Sequence, residues 1–126
     1  MIDELFRDFS HLNKVISSPL KRTVETSSII ASNIKVPIEL NSKLYEVGGL
    51  FKGSNIFKGA TKGWFEKNYP DLILNDKGIT DEGWYFENKI EGYEEGRIRT
   101  ARVLEELRER ALKCIFLKKK HDISIF

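Results

Sequence analysis

The sequence predicts an α/β fold, in which a sheet is flanked by helices. Short apolar runs with β-branched residues, at 14–17 and 36–40, are typical of buried strands, and a helical pattern lies between them. A long amphipathic pattern from 93 to 117 precedes a further apolar run at 122–126. Strands that alternate with helices pack as a sheet covered by those helices. Since a chain of 126 residues has room for one core, we expect a single domain over residues 1–126.

The N-terminal third is predicted to contain helix, strand, helix and strand. The first helix is amphipathic, with apolar residues three or four positions apart. These are Ile2, Leu5, Phe6, Phe9 and Leu12. After the strand at 14–17, Ser18 caps a second helix that has Pro19 in its first turn and ends near Ser32. The chain then extends again at 36–40.

Glycines mark the middle of the chain. Residues 47–63 contain five glycines, which predicts an irregular loop. A short helix from Thr61 to Tyr69 should end at Pro70. Residues 71–87 are expected to be irregular, and their aromatic side chains to form local core.

Composition excludes several classes of function. The chain has 21 basic and 19 acidic residues, so its net charge of +2 favours neither nucleic acid nor membrane binding. The run Lys118-Lys119-Lys120 is interpreted as solvated. Two histidines and the single Cys114 give no metal-ligand spacing, and we expect neither a metal nor another cofactor. Without a signal-peptide pattern, the sequence favours a cytoplasmic protein.

The segment from Val15 to Thr26 carries the most specific chemical pattern. A strand that passes directly into a helix presents free backbone N–H groups and the positive end of the helix dipole at the edge of the sheet. Arg22 lies in the first turn of that helix, where its planar guanidinium can bind two oxygens of a phosphoryl group. The pattern therefore predicts phosphate binding by Arg22.

Three segments together resemble the histidine phosphatase superfamily, which includes phosphoglycerate mutases. Ser18-Pro19-Leu20-Lys21-Arg22, with Thr26 four residues later, resembles the arginine motif of the family. The segment 44–49 is similar to its leucine-x-glutamate segment before a glycine, with Glu46 at the glutamate. Residues 91–107 resemble its glutamate-initiated helix, with Arg99 at the arginine position.

The resemblance implies a three-layer fold, in which a sheet is flanked by helices, and a phosphoryl-transfer site that needs no cofactor. In the family a histidine attacks phosphorus, arginines bind the phosphoryl oxygens and a carboxylic acid protonates the leaving oxygen. Arg22 then corresponds to the phosphate-binding arginine and Glu46 to the catalytic acid. The alternative for Glu46 is a solvated or helix-capping carboxylate in a glycine-rich loop. Full-length relatives would act on phosphorylated small molecules or phosphoproteins.

Arg99 is expected to be structural. Within its own helix it can reach Glu95, four residues earlier, so the sequence predicts an exposed ion pair between the two.

Neither histidine matches the two catalytic histidine motifs of the family. His11 follows Ser10 at the end of the predicted first helix, and His121 precedes the strand at 122–126 instead of following it. In the family the nucleophile lies on a first strand well upstream of the segment that corresponds to Val15, and too little sequence precedes Val15 here for such a strand. We therefore expect a partial domain that lacks its first strand and is truncated at both ends. Such a chain should have little or no phosphatase activity, because the covalent route needs the nucleophile.

Two other functions compete with a partial enzyme. The chain could be a non-catalytic module that binds phosphate or a protein partner and has lost the catalytic histidines. Alternatively, the resemblance is accidental and Ser18-Pro19 is a proline-directed kinase site on an unrelated adaptor. A sheet without its first strand would also expose an edge, through which the chain could form oligomers.

Overall fold

The computed structural model of the protein describes residues 12–116 and 122–125, and for residues 114–116 and 122–125 it describes the backbone only. In chain order the elements are β1 (Leu12–Ser17), α1 (Lys21–Ile34), β2 (Ile38–Leu40), β3 (Phe51–Lys52), β4 (Asn55–Ile56), α2 (Lys62–Asn68), α3 (Tyr93–Phe116) and β5 (Asp122–Ile125). The predicted α/β class is confirmed. None of the helices in these residues is long and apolar enough to cross a membrane.

A three-stranded parallel sheet has β1 at its centre, in the order β2-β1-β5. Successive residues of a strand point to opposite faces, and in β1 both faces are covered. Val15 packs with Val24 of α1, whereas Ile16 packs with Val103 and Leu107 of α3. The two helices therefore lie on opposite faces of the sheet, which gives the expected three layers.

Helix α1 begins later than the serine and proline pattern predicted. The Ser18 hydroxyl accepts a hydrogen bond from the Leu20 N–H at 3.3 Å and does not cap the helix. Leu20 has φ −58° and ψ 132°, so the chain stays extended through Pro19 and the first helical residue is Lys21. The helix ends at Ile34, two residues beyond the predicted end.

The predicted N-terminal helix lies mostly outside the described residues, but its assignment of Leu12 is wrong. Leu12 belongs to β1 and pairs with Asp122 of β5. Its spacing from Phe9 fits a helix, while its spacing from Lys14 and Ile16 fits a strand, and pairing with β5 decides between these periods.

The segment between β2 and α3 follows the prediction with one exception. The glycine-rich loop, predicted to be irregular, contains a two-stranded hairpin of β3 and β4 that turns at Gly53, where φ is +68°. Helix α2 is confirmed, and the Thr61 hydroxyl accepts a hydrogen bond from the Trp64 N–H at its start. Trp84 and Tyr85 are buried in the core, as expected, but Phe86 is exposed, so the prediction of local core is wrong for that residue.

An ion-pair cluster around Glu39 ties α3 to β2. Arg110 of α3 contacts the two Glu39 carboxylate oxygens at 2.7 and 3.3 Å, and Lys14 of β1 contacts the same carboxylate at 3.3 Å. Burial alone would raise the pKa of Glu39, but the hydrogen bonds and charges of Arg110 and Lys14 outweigh it and hold the pKa below 4.5. The carboxylate is therefore ionised at neutral pH, with two cationic partners.

Glu39→Gln should lower the free energy of unfolding by about 1–3 kcal/mol near neutral pH, because it leaves two cations without their carboxylate. The folded pKa lies below the unfolded value of 4.5, so the contribution of Glu39 is present above that value and is lost as the pH falls through the folded pKa. Urea unfolding near neutral pH and at about pH 3 should show the difference between the two proteins shrinking. Glu105→Gln, in an exposed pair with Arg108, is the control. If the free energy of unfolding differed equally at both pH values, the ionised Glu39 carboxylate would not be the source of the stabilisation.

Candidate functional site

The turn from β1 into α1 is held by buried serine hydroxyls. The Ser27 hydroxyl of α1 donates to the Ser17 hydroxyl at 2.9 Å, and Ser17 in turn donates to the Ser18 carbonyl at 2.9 Å. Ser17 and Ser27 are fully buried, so these bonds are shielded from water. They link the second turn of α1 to the C-terminal end of β1.

Backbone N–H groups at the start of α1 face outward from the helix end. The first hydrogen bonds of the helix join the N–H groups of Thr23 and Val24 to the Leu20 carbonyl, both at 2.9 Å. Lys21 and Arg22 precede these donors, so their N–H groups have no helical acceptor. Together with the helix dipole, such groups favour a bound anion.

Arg22 and Glu46, the two site residues predicted from the sequence, contact each other. A guanidinium nitrogen of Arg22, Nη2, is paired with Oε1 of Glu46, which lies 24 residues later in the chain. Their side chains are 67% and 71% exposed, so solvent reaches both charged groups. The fold thus brings a bidentate cation and a carboxyl group together beside the start of α1.

A tight turn shapes the loop that carries Glu46. The Gly49 N–H donates to the Glu46 carbonyl at 3.3 Å, and Gly48 and Gly49 have φ values of +107° and +97°. These values favour glycine, and a Cβ at Gly49 would also collide with the Tyr85 side chain. The glycine pair after Glu46 is therefore required by the shape of the loop.

Arg99 anchors this loop to α3, and the predicted exposed pair with Glu95 is wrong. Its Nε and Nη2 donate to the two carboxylate oxygens of Glu91, both at 2.8 Å. Its Nη1 and Nη2 also donate to the carbonyls of Lys43 and Tyr45, at 2.8 and 3.1 Å. The guanidinium lies 3.7 Å from the centre of the Tyr45 ring. Arg99 thus uses four of the five N–H donors of an arginine.

Pairing keeps both members of the Arg99–Glu91 pair charged, although burial opposes it. Their side chains are only 12% and 10% exposed. Hydrogen bonds from Arg99 hold the pKa of Glu91 below its usual range, although burial opposes them. The hydrogen bond with Glu91 likewise raises the pKa of Arg99 above its usual range. The pair is therefore ionised at neutral pH, with little water around it.

A cavity of about 280 Å³ adjoins the Arg22–Glu46 contact, between the start of α1, the Glu46 loop and α3. It is lined by Ser18, Leu20, Thr23, Leu44, Tyr45, Glu46, Arg99 and Thr100. This volume is near the lower end of the range for small-molecule sites. A group attached to a phosphoryl bound at Arg22 would have space there.

The remaining sequence predictions concern Ser18, several residues that the structure does not describe, and metal binding. Ser18 is 6% exposed and its hydroxyl is hydrogen-bonded, which argues against its use as a kinase site. His11, His121 and Lys118-Lys119-Lys120 lie outside the described residues, as does the Cys114 side chain. Within residues 12–116 and 122–125, no three His, Cys, Asp or Glu residues form a group that could hold a metal ion.

Comparison with known proteins identifies one family. A family model described as histidine phosphatase superfamily (branch 1) matches residues 2–116 of this chain. No curated protein matches the sequence. The matched region contains Arg22, Glu46, Glu91 and Arg99, so it spans the whole site described above.

Glu91→Ala should lower the free energy of unfolding by about 3 kcal/mol, because it leaves the Arg99 guanidinium buried without its carboxylate. Glu94→Ala is the matched control, since Glu94 pairs with Arg97 at 3.0 Å on the same helix but both side chains are largely exposed. The control should change stability by less than about 1 kcal/mol. Urea unfolding of both variants measures these values, and equal losses would show that the Arg99–Glu91 pair has no special role.

Proposed function

The chain belongs to the histidine phosphatase superfamily, and on that basis we propose that Arg22 binds the phosphoryl group of a phosphomonoester, with Glu46 beside it as proton donor. The observation that carries this proposal is the contact of Arg22 with Glu46 at the start of α1. An anion clamp and a carboxyl group meet where unpaired backbone N–H groups face outward.

The chemistry of phosphoryl transfer supports these two roles. Negative charge spreads over the phosphoryl oxygens in the transition state, and a guanidinium with nearby N–H groups stabilises it. The leaving alkoxide is a strong base, so a positioned acid makes its departure easier. Because Glu46 contacts Arg22 directly, a bound phosphoryl group would have its ester oxygen close to that carboxyl.

The exposure of the site bears on the class of substrate. Both side chains are largely open to solvent, so the site can accept a phosphorylated small molecule or a phosphorylated side chain of a protein. Glu46 is paired with Arg22 as a carboxylate, and an incoming phosphate replaces it on the guanidinium. To act as the proton donor, the displaced carboxylate must first take up a proton from solvent, which reaches it freely. The chain should therefore bind free phosphate weakly, and this binding should depend on Arg22.

A second candidate function is a non-catalytic phosphate-binding module. The sequence around the histidines favours it for this polypeptide, since His11 is followed by Leu12 and His121 by Asp122. Neither context resembles the arginine-histidine-glycine or serine-histidine-glycine motifs of the family. Phosphate binding is common to both functions, and turnover separates them.

Arg22→Ala should weaken binding of inorganic phosphate at least about tenfold, because it removes the bidentate cation. The Kd of Arg22→Lys for phosphate should lie between those of the wild type and Arg22→Ala, since lysine keeps the charge without the planar guanidinium. Titration followed by ³¹P NMR measures the Kd of each protein. Arg97→Ala is the control, since it removes an exposed, paired arginine elsewhere in the chain. Equal affinity of the wild type and Arg22→Ala would contradict the proposed site.

The 126-residue polypeptide should hydrolyse p-nitrophenyl phosphate no faster than buffer, because neither histidine stands in a nucleophile motif. A colorimetric assay with the wild type and His121→Ala tests this. Hydrolysis well above background that is lost in His121→Ala would identify His121 as a catalytic histidine and exclude the non-catalytic module.

A further inference from the structure

We propose that Arg99 is a positioning residue, which holds the loop around Glu46 so that the Glu46 carboxyl meets Arg22. This inference rests on the proposed function of the Arg22–Glu46 site. Arg99 contacts neither Arg22 nor the carboxyl group of Glu46 by hydrogen bonds; it acts on the backbone that carries Glu46.

The backbone on both sides of Glu46 is bound to the Arg99–Glu91 pair. On the N-terminal side, Arg99 donates to the carbonyls of Lys43 and Tyr45, at 2.8 and 3.1 Å. On the C-terminal side, the Glu91 N–H donates to the Gly48 carbonyl at 3.2 Å. Since Glu91 is itself bound by two donors of Arg99, the ends of the loop are linked through one ion pair.

Close packing of α3 against the loop adds a second constraint. A Cβ added at Gly96 would lie 2.7 Å from Cγ2 of Val47 and 2.9 Å from Oε1 of Glu91. The backbone of α3 therefore approaches the residue after Glu46 as closely as only glycine permits. Gly96 lies three residues before Arg99, so the packing and the ion pair act on the same part of the helix.

Leu44 and Tyr45 pack against the core, but the Glu46 side chain itself is not held by packing. Its side chain is 71% exposed, so packing of that side chain does not fix its position. The loop is irregular, and its turn from Glu46 to Gly49 has a single hydrogen bond of 3.3 Å. The direction of the Glu46 carboxyl therefore depends on the flanking backbone, and Arg99 and Glu91 supply the hydrogen bonds that join this backbone to α3 and the residues before it.

Arg99→Lys in the full 126-residue chain tests the proposal, because a lysine has one nitrogen and cannot span Glu91 and two carbonyls at once. Arg108→Lys is the matched control, since Arg108 forms an exposed pair with Glu105 on the same helix. Glu91→Gln is a second variant, which keeps the size of the side chain if Arg99→Lys folds poorly.

Two measurements are made on folded samples, below the melting temperature of each variant. The first is the Kd for inorganic phosphate. The second is the NMR signal of the Arg22 side-chain Nε–H, with Glu46→Gln as the reference for an Arg22 without its charged partner. This signal reports the Arg22–Glu46 contact whether or not phosphate binds.

In Arg99→Lys and in Glu91→Gln, the Arg22 signal should move toward that of Glu46→Gln, and the Kd for phosphate should change by at least about threefold. Arg108→Lys should change neither. A lower melting temperature with an unchanged Arg22 signal would overturn the proposal, since Arg99 would then stabilise the fold only. If the wild type and Arg22→Ala bind phosphate equally, the proposed function fails, while the Arg22 signal still decides the role of Arg99.

Discussion

The ion pair of Arg99 with Glu91 is the interaction on which the geometry of the site depends. The backbone at Arg22 is held by the central strand and by serine hydroxyls between β1 and α1. Glu46, in contrast, lies on an irregular loop, whose backbone is bound to α3 by Arg99 and whose Leu44 and Tyr45 side chains pack against the core. A guanidinium with several acceptors, stacked on an aromatic ring and shielded from water, is suited to this task because its planar donors bind in fixed directions.

The site therefore combines a rigid half and a tethered half. Parallel pairing within the sheet sets the direction in which β1 delivers the chain to α1, so the position of Arg22 follows from the core. The position of Glu46 follows from contacts between segments more than 50 residues apart in sequence. Changes in the core should act on both halves, whereas changes at Arg99 should act on the second half alone.

Much of this arrangement could be predicted from the sequence, because it depends on local patterns. The strand at β1, the following helix and α3 were marked by apolar periodicity, and Arg22 and Glu46 by family motifs. The role of Arg99 could not be predicted in this way. Its predicted partner, Glu95, satisfies the spacing rule within a helix, but the observed partner, Glu91, precedes the helix, and the carbonyl acceptors belong to a distant loop. Leu12 was misassigned for a related reason, since pairing with β5 overrides its helical spacing.

Arg22 and Glu46 together are proposed to form a phosphoryl-binding site. X-ray diffraction from a crystal of the chain soaked in tungstate, a heavy analogue of phosphate, would locate an anion at this site. We predict one tungstate on the Arg22 guanidinium and the N–H groups at the start of α1, with Glu46 displaced from Arg22 and facing the anion. Tungstate bound elsewhere, with the Arg22–Glu46 pair intact, would contradict the claim.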